Sequence, residues 1–155
     1  MREIIQLGAG QAGCTVSNAI WEQLGLDLGV SQEGALIGEE GAPSMHFCEY
    51  KSRHVPRSVL VDCDSDIRAS RRLSASAVNE AFESDGLFWS MHEKKPEKAA
   101  EALRVQAEGC DSLQGFTLTS AVSGGVGSGL SVQLLKHLKK EYGKKAAICL
   151  PIYPS

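Results

Sequence analysis

The beginning of the chain pairs a short apolar run with a longer helical pattern. Residues 4–9 are mostly apolar and carry no charge, which is typical of a strand covered on both faces in a parallel sheet, and we expect this strand to lie centrally. Apolar positions then repeat at helical spacing until Gly25 and Gly29, which predicts a helix of about four turns. The side chains that recur at this spacing are Val16, Ala19, Ile20, Gln23 and Leu24.

Later segments alternate between helical and strand patterns. Residues 31–53 show no clear period and predict a loop excursion with a short strand at residues 45–48. The other predicted elements are strands at residues 59–61 and 146–150, a strand from residue 117 to the glycine loop, and helices at residues 67–82, 96–109 and 130–142. Alternating strands and helices predict an α/β fold with a mostly parallel sheet.

A glycine-rich loop is the strongest candidate binding element. A β-branched run begins at Thr117, and four glycines lie within six residues, between Gly124 and Gly129, where a long amphipathic helix begins. Glycines let a ligand approach main-chain N–H groups, and a helix N-terminus adds partial positive charge, so the loop suits a phosphate. It is not a Walker A loop, because no Gly-Lys-Ser/Thr comes after it. A turn that only packs the helix on the sheet is the alternative.

A second glycine turn comes after the first strand. Residues 8–13 satisfy G-x-G-x-x-G, which raises the alternative of an NAD- or FAD-binding fold. That fold also needs a second strand ending in an acidic residue roughly 20 positions further on. The region from Asp27 to Glu33 contains glycines instead of a β-branched run, so the dinucleotide alternative is the weaker one.

Two carboxylates lie just after the predicted strand at residues 59–61. Asp62 and Asp64 would lie at the carboxyl edge of a parallel sheet, where they can reach a hydrated Mg²⁺ on a phosphate. Capping of the next helix is the alternative role for either of them.

Composition and charge narrow the classes of partner. The 155 residues predict one domain, and the net charge of -3 gives no electrostatic reason to expect nucleic acid or an anionic membrane as a partner. The five cysteines are widely spaced without a C-x-x-C pair, which indicates unpaired core thiols in a reducing compartment. No apolar run reaches the roughly 20 residues that span a bilayer, so we expect a cytoplasmic protein.

Several ordered motifs resemble the amino-terminal segments of tubulins. The glycine loop, residues 123–129, is similar to the tubulin signature Gly-Gly-Gly-Thr-Gly-Ser-Gly, and residues 113–116, 141–145 and 152–154 favour the α-tubulin branch. Further matching segments are residues 1–5, 10–13, 18–19, 21–22 and 54–62. The resemblance implies a three-layer α/β sandwich, Rossmann-like, in which residues 1–155 form the amino-terminal part of a GTP-binding domain.

The resemblance also implies a set of ligand-contacting residues. In tubulins the matching loops hold GTP or GDP with Mg²⁺. Carried onto this chain, the nucleotide-contacting residues are Gly10, Gln11, Ala12, Gly124, Gly125, Val126, Gly127 and Ser128. The metal side would be formed by Asp64, where the family usually has Glu, together with the Gln11 amide.

Departures from the family pattern reduce the expected affinity. The family threonine is Val126 here, its leading glycine is Ser123, its preceding serine falls on Ala121, and its glutamine falls on Thr15. Two hydroxyls are lost, and because hydrogen bonds to charged groups contribute roughly 1.5–3 kcal/mol each, we expect binding to weaken by about two orders of magnitude or more. Residues 83–97 do not match the family loop near the terminal phosphate.

The resemblance supports two functional hypotheses. The first is a tubulin-like cytoskeletal protein that binds guanine nucleotide weakly and associates with tubulin or the microtubule lattice. The second is a degenerate structural module that has lost the nucleotide and acts only through protein contacts. In tubulins the segments that hold the ribose and base lie beyond the region matched here, so we do not expect GTP hydrolysis by this chain alone. We also expect the edge of the sheet beyond residues 146–150 to need a cover.

Overall fold

A computed structural model describes residues 2–31, 33–37, 43–62, 88–89 and 96–154. The strands are β1 (Glu3–Ala9), β2 (Phe47–Tyr50), β3 (Arg53–Pro56), β4 (Ser58–Val61), β5 (Phe88–Trp89), β6 (Leu113–Ala121) and β7 (Ala146–Ile152). The helices are α1 (Gly10–Asp27), α2 (Pro96–Glu108) and α3 (Gly125–Glu141), with a 3-10 turn at Pro43–Met45. The predicted helix at residues 67–82 lies outside the described residues.

The main sheet has five strands in the order β5-β4-β1-β6-β7, and every neighbouring pair is parallel. β1 is therefore the central strand, as the uncharged run at residues 4–9 predicts. Residues paired across the sheet share a face, so Gly8 lies beside Leu60 on one side and Thr119 on the other. The predicted α/β class and parallel sheet are confirmed.

One face of the sheet packs against α2 and α3. Alternate strand residues, among them Leu7, Val59 and Leu118, join Leu103 of α2 and Leu134 of α3 in a single buried cluster. The three- and four-residue spacing of leucines in α3 places Leu130, Leu134 and Leu138 on this face. The helices predicted at residues 96–109 and 130–142 are therefore present, and α3 begins inside the glycine loop, as predicted.

The opposite face of the sheet packs against α1, the helix predicted after the first strand, and its buried side is not the one that the aliphatic period marks. The buried residues of α1 are Gly10, Gly13, Cys14, Ser17, Trp21 and Gly25. Val16 is 37% exposed, and Ala19 and Gln23 are also exposed, while Ile20 and Leu24 are only partly buried. The reason is close approach: small side chains let the helix lie almost against the strands, so the larger aliphatic residues turn away from them.

The antiparallel hairpin β2–β3 covers the carboxyl-terminal half of α1. Phe47 of β2 packs edge-on against Trp21 at 5.3 Å between ring centroids, and Val30 completes this small cluster. The short strand predicted at residues 45–48 is thus found slightly later, as β2. The hairpin is joined to the rest of the fold by Arg57, whose buried guanidinium donates from Nη1 to the Gly109 carbonyl at 3.1 Å and from Nε to the Ser44 carbonyl at 3.3 Å.

The four cysteines in the described part of the chain form no disulfide. Cys14 is a buried core thiol as predicted, whereas Cys149 on β7 is exposed, so the expectation of core thiols is wrong for that residue. Burial raises the pKa of both Cys48 and Cys110, although the Arg57 guanidinium acts in the opposite direction on each. None of the described helices is long and apolar enough to cross a membrane.

The aromatic pair between α1 and the hairpin yields a stability prediction. Because Phe47 is 1% exposed and packs on Trp21, Phe47→Ala should lower the free energy of unfolding by about 3–5 kcal/mol. Urea denaturation followed by circular dichroism measures this change. The matched variant Val105→Ala, at a position 41% exposed on α2, should stay within about 0.5 kcal/mol of the unmodified chain. Equal losses in both variants would contradict the packing described.

Candidate functional site

Two helix N-termini meet at the carboxyl edge of the sheet. α1 begins directly after β1, and α3 begins a few residues after β6, on strands that pair side by side with Ala9 opposite Ser120. The two turns approach closely, since a Cβ built on Gly127 would lie 3.4 Å from the Ala9 carbonyl oxygen. In an open α/β sheet this edge is where ligands bind.

Glycine conformation shapes both turns. Gly10 has a φ of 73° and Gly124 a φ of 91°, in the left-handed region that L side chains rarely adopt. Gly124 is exposed, and a Cβ built on it would meet nothing within 4 Å, so its requirement for glycine comes from the backbone angle and not from crowding. The glycine loop is therefore a specific bend that turns the chain from β6 into α3.

The electrostatics of both turns favour an anion. Ala9 and Gly124 occupy the N-cap positions and have no side-chain oxygen to bond the first N–H groups of their helices. The first turns contain no acidic residue that would repel an anion. Uncapped N–H groups from two adjacent helices, added to the partial positive charge of each helix end, form a site whose chemistry suits phosphate oxygens.

The structure brings the two predicted phosphate loops together. Gly10 is buried under the turn, whereas Gln11 and Ala12 are exposed. In the other loop Gly125 and Val126 form the first residues of α3, before buried Gly127 and half-buried Ser128. The Ser128 hydroxyl donates to the Gly124 carbonyl, so this side chain also holds the loop in shape. Thr15, which replaces the family glutamine, donates its hydroxyl to the Gln11 carbonyl at 2.9 Å.

The structure describes only one of the two aspartates that were considered as magnesium ligands. Asp62 is 4% exposed and lies directly after β4, at the same edge of the sheet as the two glycine turns. Asp64 lies outside the described residues, which contain no group of three or more acidic, histidine or cysteine side chains able to hold a metal ion. A magnesium ion held through phosphates and one carboxylate needs no such group. The described residues therefore fit a phosphate ligand, and the metal ligand at Asp64 stays a prediction.

One residue important to the geometry was not predicted as a site residue. A Cβ built on Gly13 would lie 2.4 Å from the Thr119 carbonyl oxygen, so only glycine allows α1 to lie this close to β6. The sequence signal was available, because Gly13 is the third glycine of the G-x-G-x-x-G pattern, the position used for close helix–strand packing. Cys14, the next residue, places its Sγ 3.5 Å from the Gly8 carbonyl oxygen.

A concavity lies between α2 and α3, and its Arg104 side chain is already paired with carboxylates. It has a volume of about 550 Å³ and is lined by Ala100, Glu101, Arg104, His137, Lys140, Glu141 and Tyr142. Arg104 is paired with Glu101 and Glu108, which raises its pKa, while burial raises the pKa of Tyr142. The guanidinium is thus committed to carboxylates of its own helix, and the glycine turns remain the better anion site.

Comparison with known proteins finds similarity along almost the whole chain. Residues 3–155 match the family model of the Tubulin/FtsZ family, GTPase domain. The chain is 32% identical to the tubulin alpha-3 chain of Saccharomyces cerevisiae, 33% to the tubulin alpha chain of Trypanosoma cruzi and 32% to the tubulin alpha-1 chain of Arabidopsis thaliana. Each alignment covers 100% of this chain but only 39% of the relative. The chain therefore spans well under half the length of these relatives.

The close contact at Gly13 yields a pair of opposed predictions. Gly13→Ala must push α1 away from the Thr119 carbonyl and should lower the free energy of unfolding by about 1–3 kcal/mol. Gly129→Ala, in α3 where an added Cβ meets nothing within 4 Å, should raise it by about 0.5–1 kcal/mol because alanine favours the helix. Thermal and urea unfolding of both variants measure the difference. Stabilisation by Gly13→Ala would show that the approach of α1 to β6 is looser than described.

Proposed function

The chain belongs to the Tubulin/FtsZ family, and on that premise we propose that it is a tubulin-like cytoskeletal protein that holds guanine nucleotide phosphates between the N-termini of α1 and α3. The observation that carries the proposal is the pair of uncapped glycine turns at the carboxyl edge of β1 and β6. Backbone N–H donors do not depend on side-chain identity. Phosphate binding can therefore persist where the family hydroxyls at Ala121 and Val126 are lost.

The proposed nucleotide site combines main-chain donors for the phosphates with side chains for a magnesium ion. Residues 10–12 and 124–128 supply main-chain donors from two helix ends, and exposed Gln11 lies at the same edge of the sheet. A magnesium ion, when bound, would neutralise phosphate charge. We propose that Asp64 and Gln11 would hold this ion. Asp62, buried after β4, contributes a further carboxylate at this edge. We propose weak binding of GTP or GDP, because two hydroxyl contacts of the family are missing.

The dinucleotide alternative is disfavoured by the chain segment after α1. A Rossmann dinucleotide site would have a parallel strand there, ending in an acidic residue. In this chain α1 leads into an isolated bridge between Val30 and Leu36 and then into the antiparallel hairpin β2–β3. The next parallel strand, β4, begins at Ser58, far beyond the spacing of that motif. An NAD site is therefore kept only as an outcome of the binding experiment.

We propose that the protein is cytoplasmic and contacts tubulin or the microtubule lattice through β7. Ala146 to Pro151 are all exposed, and Ile148 and Leu150 are 58% and 41% exposed, on a strand that lies at the edge of the described sheet. An apolar edge strand of this kind favours protein contact. A purely structural module without nucleotide would use the same surface, so measurements of nucleotide binding and of tubulin binding together separate these hypotheses.

Pro151 limits how a partner can use that edge. The Val122 N–H donates to the Ile152 carbonyl at 3.0 Å, so the backbone of Ile152 faces β6. Because alternate residues of a parallel strand bond the same neighbour, the backbone of Pro151 faces the outer edge, where proline has no N–H to donate. An added strand would lose a hydrogen bond there. We therefore place the contact mainly on the side chains of β7.

For nucleotide, we predict Mg²⁺-assisted GTP or GDP binding with a dissociation constant weaker than about 1 µM and little base selectivity. Gly124→Val should reduce the affinity about tenfold, because a β-branched side chain is strained at a φ of 91°. Titration calorimetry with GTP, ATP and NADH measures affinity and selectivity. Gly129→Ala is the control and should leave affinity unchanged. Submicromolar guanine-specific binding would refute weak binding, and tight NADH binding would refute the guanine site.

For partner contact, we predict that the chain co-sediments with taxol-stabilised microtubules or co-purifies with tubulin dimers. Ile148→Glu places a charge in the middle of β7 and should reduce the bound fraction at least about fivefold if this surface carries the contact. Val132→Glu, at a position 50% exposed on α3, is the matched control and should bind like the unmodified chain. A monodisperse monomer that associates with neither microtubules nor tubulin would exclude this partner.

A further inference from the structure

Buried polar side chains collect between α1 and the main sheet. On the opposite face, a single apolar cluster fills the space between the strands and the helices α2 and α3. Under α1, by contrast, the buried apolar contact with the main sheet among the described residues is that of Cys14 with Leu60. The other side chains of this layer carry polar atoms and are each at most 5% exposed, and they are Gln6, Ser17, Trp21, Ser58 and Thr119.

The sheet register places the strand residues of this layer on one face. Gln6 is paired with Ser58, and Gly8, two residues later on β1, is paired with Thr119. Alternate residues of a strand share a face, so all four lie on the same side of the sheet. A Cβ built on Gly8 would lie 2.8 Å from Ser17 Oγ, and this side therefore faces α1.

The helix residues of the layer come in the reverse order, because α1 begins at the end of β1 and folds back over it. Trp21 lies four residues after Ser17, which is about 6 Å along the helix. Gln6 lies two residues before Gly8, which is about 6.6 Å along the strand. Since Ser17 lies over Gly8, Trp21 comes over the pair of Gln6 and Ser58.

Six polar atoms of this layer are buried and have no hydrogen-bond partner in the part of the chain that the structure describes. They are Gln6 Nε2, Ser17 Oγ, Asn18 Nδ2, Trp21 Nε1, Ser58 Oγ and Thr119 Oγ1. A buried polar group without a partner destabilises the folded state, and the great majority of such groups bond to protein or to ordered water. Six of them in one layer point to a ligand that bonds them.

The chemistry of these atoms identifies the ligand as water. The three nitrogen atoms carry hydrogens to donate, and the three hydroxyl groups both donate and accept. The ligand must therefore accept hydrogen bonds from nitrogen and exchange them in either direction with hydroxyls. None of the six groups is charged, and a buried ion without a counter-charge costs far more free energy than a neutral molecule. Water also suits either orientation of the Gln6 and Asn18 amides.

We propose that the layer between α1 and the main sheet is an internal hydration site, in which about two or three ordered water molecules bridge the helix to the strands. At one end water joins Trp21 of α1 to Gln6 and Ser58, and at the other end it joins Ser17 to Thr119. These waters take the place of the apolar packing that holds α2 and α3 on the opposite face. The site lies under the helix and not at the glycine turns, so it does not depend on nucleotide binding.

The first test observes water at the Trp21 indole. In the isotope-labelled whole chain without nucleotide, the Trp21 Nε1–H should show an exchange-filtered nuclear Overhauser effect to a long-lived water molecule. Trp21→Phe assigns this signal, because the chain has two tryptophans. An indole N–H that shows no effect to water would overturn the proposal.

The second test is the sign of a stability change. Thr119→Val replaces a hydroxyl with a methyl group of similar size. If water bonds the hydroxyl, a hydrogen bond is lost and the thermal midpoint should fall by roughly 2–4 °C. A rise in the midpoint would show that the hydroxyl had no partner and would overturn the proposal. Thr117→Val, at a half-buried position two residues earlier on β6, is the matched control and should change the midpoint less.

Direct hydrogen bonds between these side chains are the alternative that stability alone does not separate. Magnetic relaxation dispersion of the water signal counts long-lived internal waters and makes the distinction. The double variant Ser17→Ala, Thr119→Val removes both hydroxyls at one end of the layer and should hold about one such water fewer than the unmodified chain. An unchanged count in a variant that circular dichroism shows to be folded would overturn the proposal, even if the variant is less stable.

Discussion

The contact between Gly13 of α1 and the Thr119 carbonyl of β6 is the constraint on which the site depends. With a separation of 2.4 Å for a hypothetical Cβ, no other side chain fits there without movement of the helix. This contact fixes the N-terminus of α1 beside the loop that leads into α3. The two helix ends, and with them the uncapped N–H groups, converge because β1 and β6 are neighbours and α1 lies close to both.

Most of the sheet could be predicted from sequence, because its parallel strands are short, mostly apolar runs without charge, including β7, which was expected to be buried but is exposed. Residues 4–9, 59–61 and 146–150 all proved to be strands of the expected sheet. The hairpin strand β3 was not predicted, since His54 and Arg53 interrupt any apolar period and its pairing with β2 depends on a turn in which Lys51 and Ser52 both adopt positive φ. Local pattern alone does not specify such a turn.

The positions of the main-chain donors in the candidate site could be predicted from sequence, whereas the hydrogen bonds of its side chains could not. Glycine spacing indicates where main-chain donors are exposed, and the structure brings residues 10–12 and 124–128 to one edge, as a phosphate site requires. Sequence could not show that Thr15 turns its hydroxyl back onto Gln11, or that Ser128 bonds the Gly124 carbonyl. Such short local bonds compete with contacts to a ligand, and they depend on rotamers that the sequence does not specify.

The buried side of α1 is not the side that its aliphatic period marks. A helical period in Val16, Ala19, Ile20 and Leu24 would normally mark the side that packs on the sheet, yet the structure gives that side to glycine, serine and tryptophan and leaves Val16 and Ala19 in water. Small residues at Gly13, Cys14 and Ser17 let the helix approach the strands closely, and this approach decides which side is buried. The period of the larger aliphatic residues therefore identifies a helix, whereas the small residues identify the side that lies against the sheet.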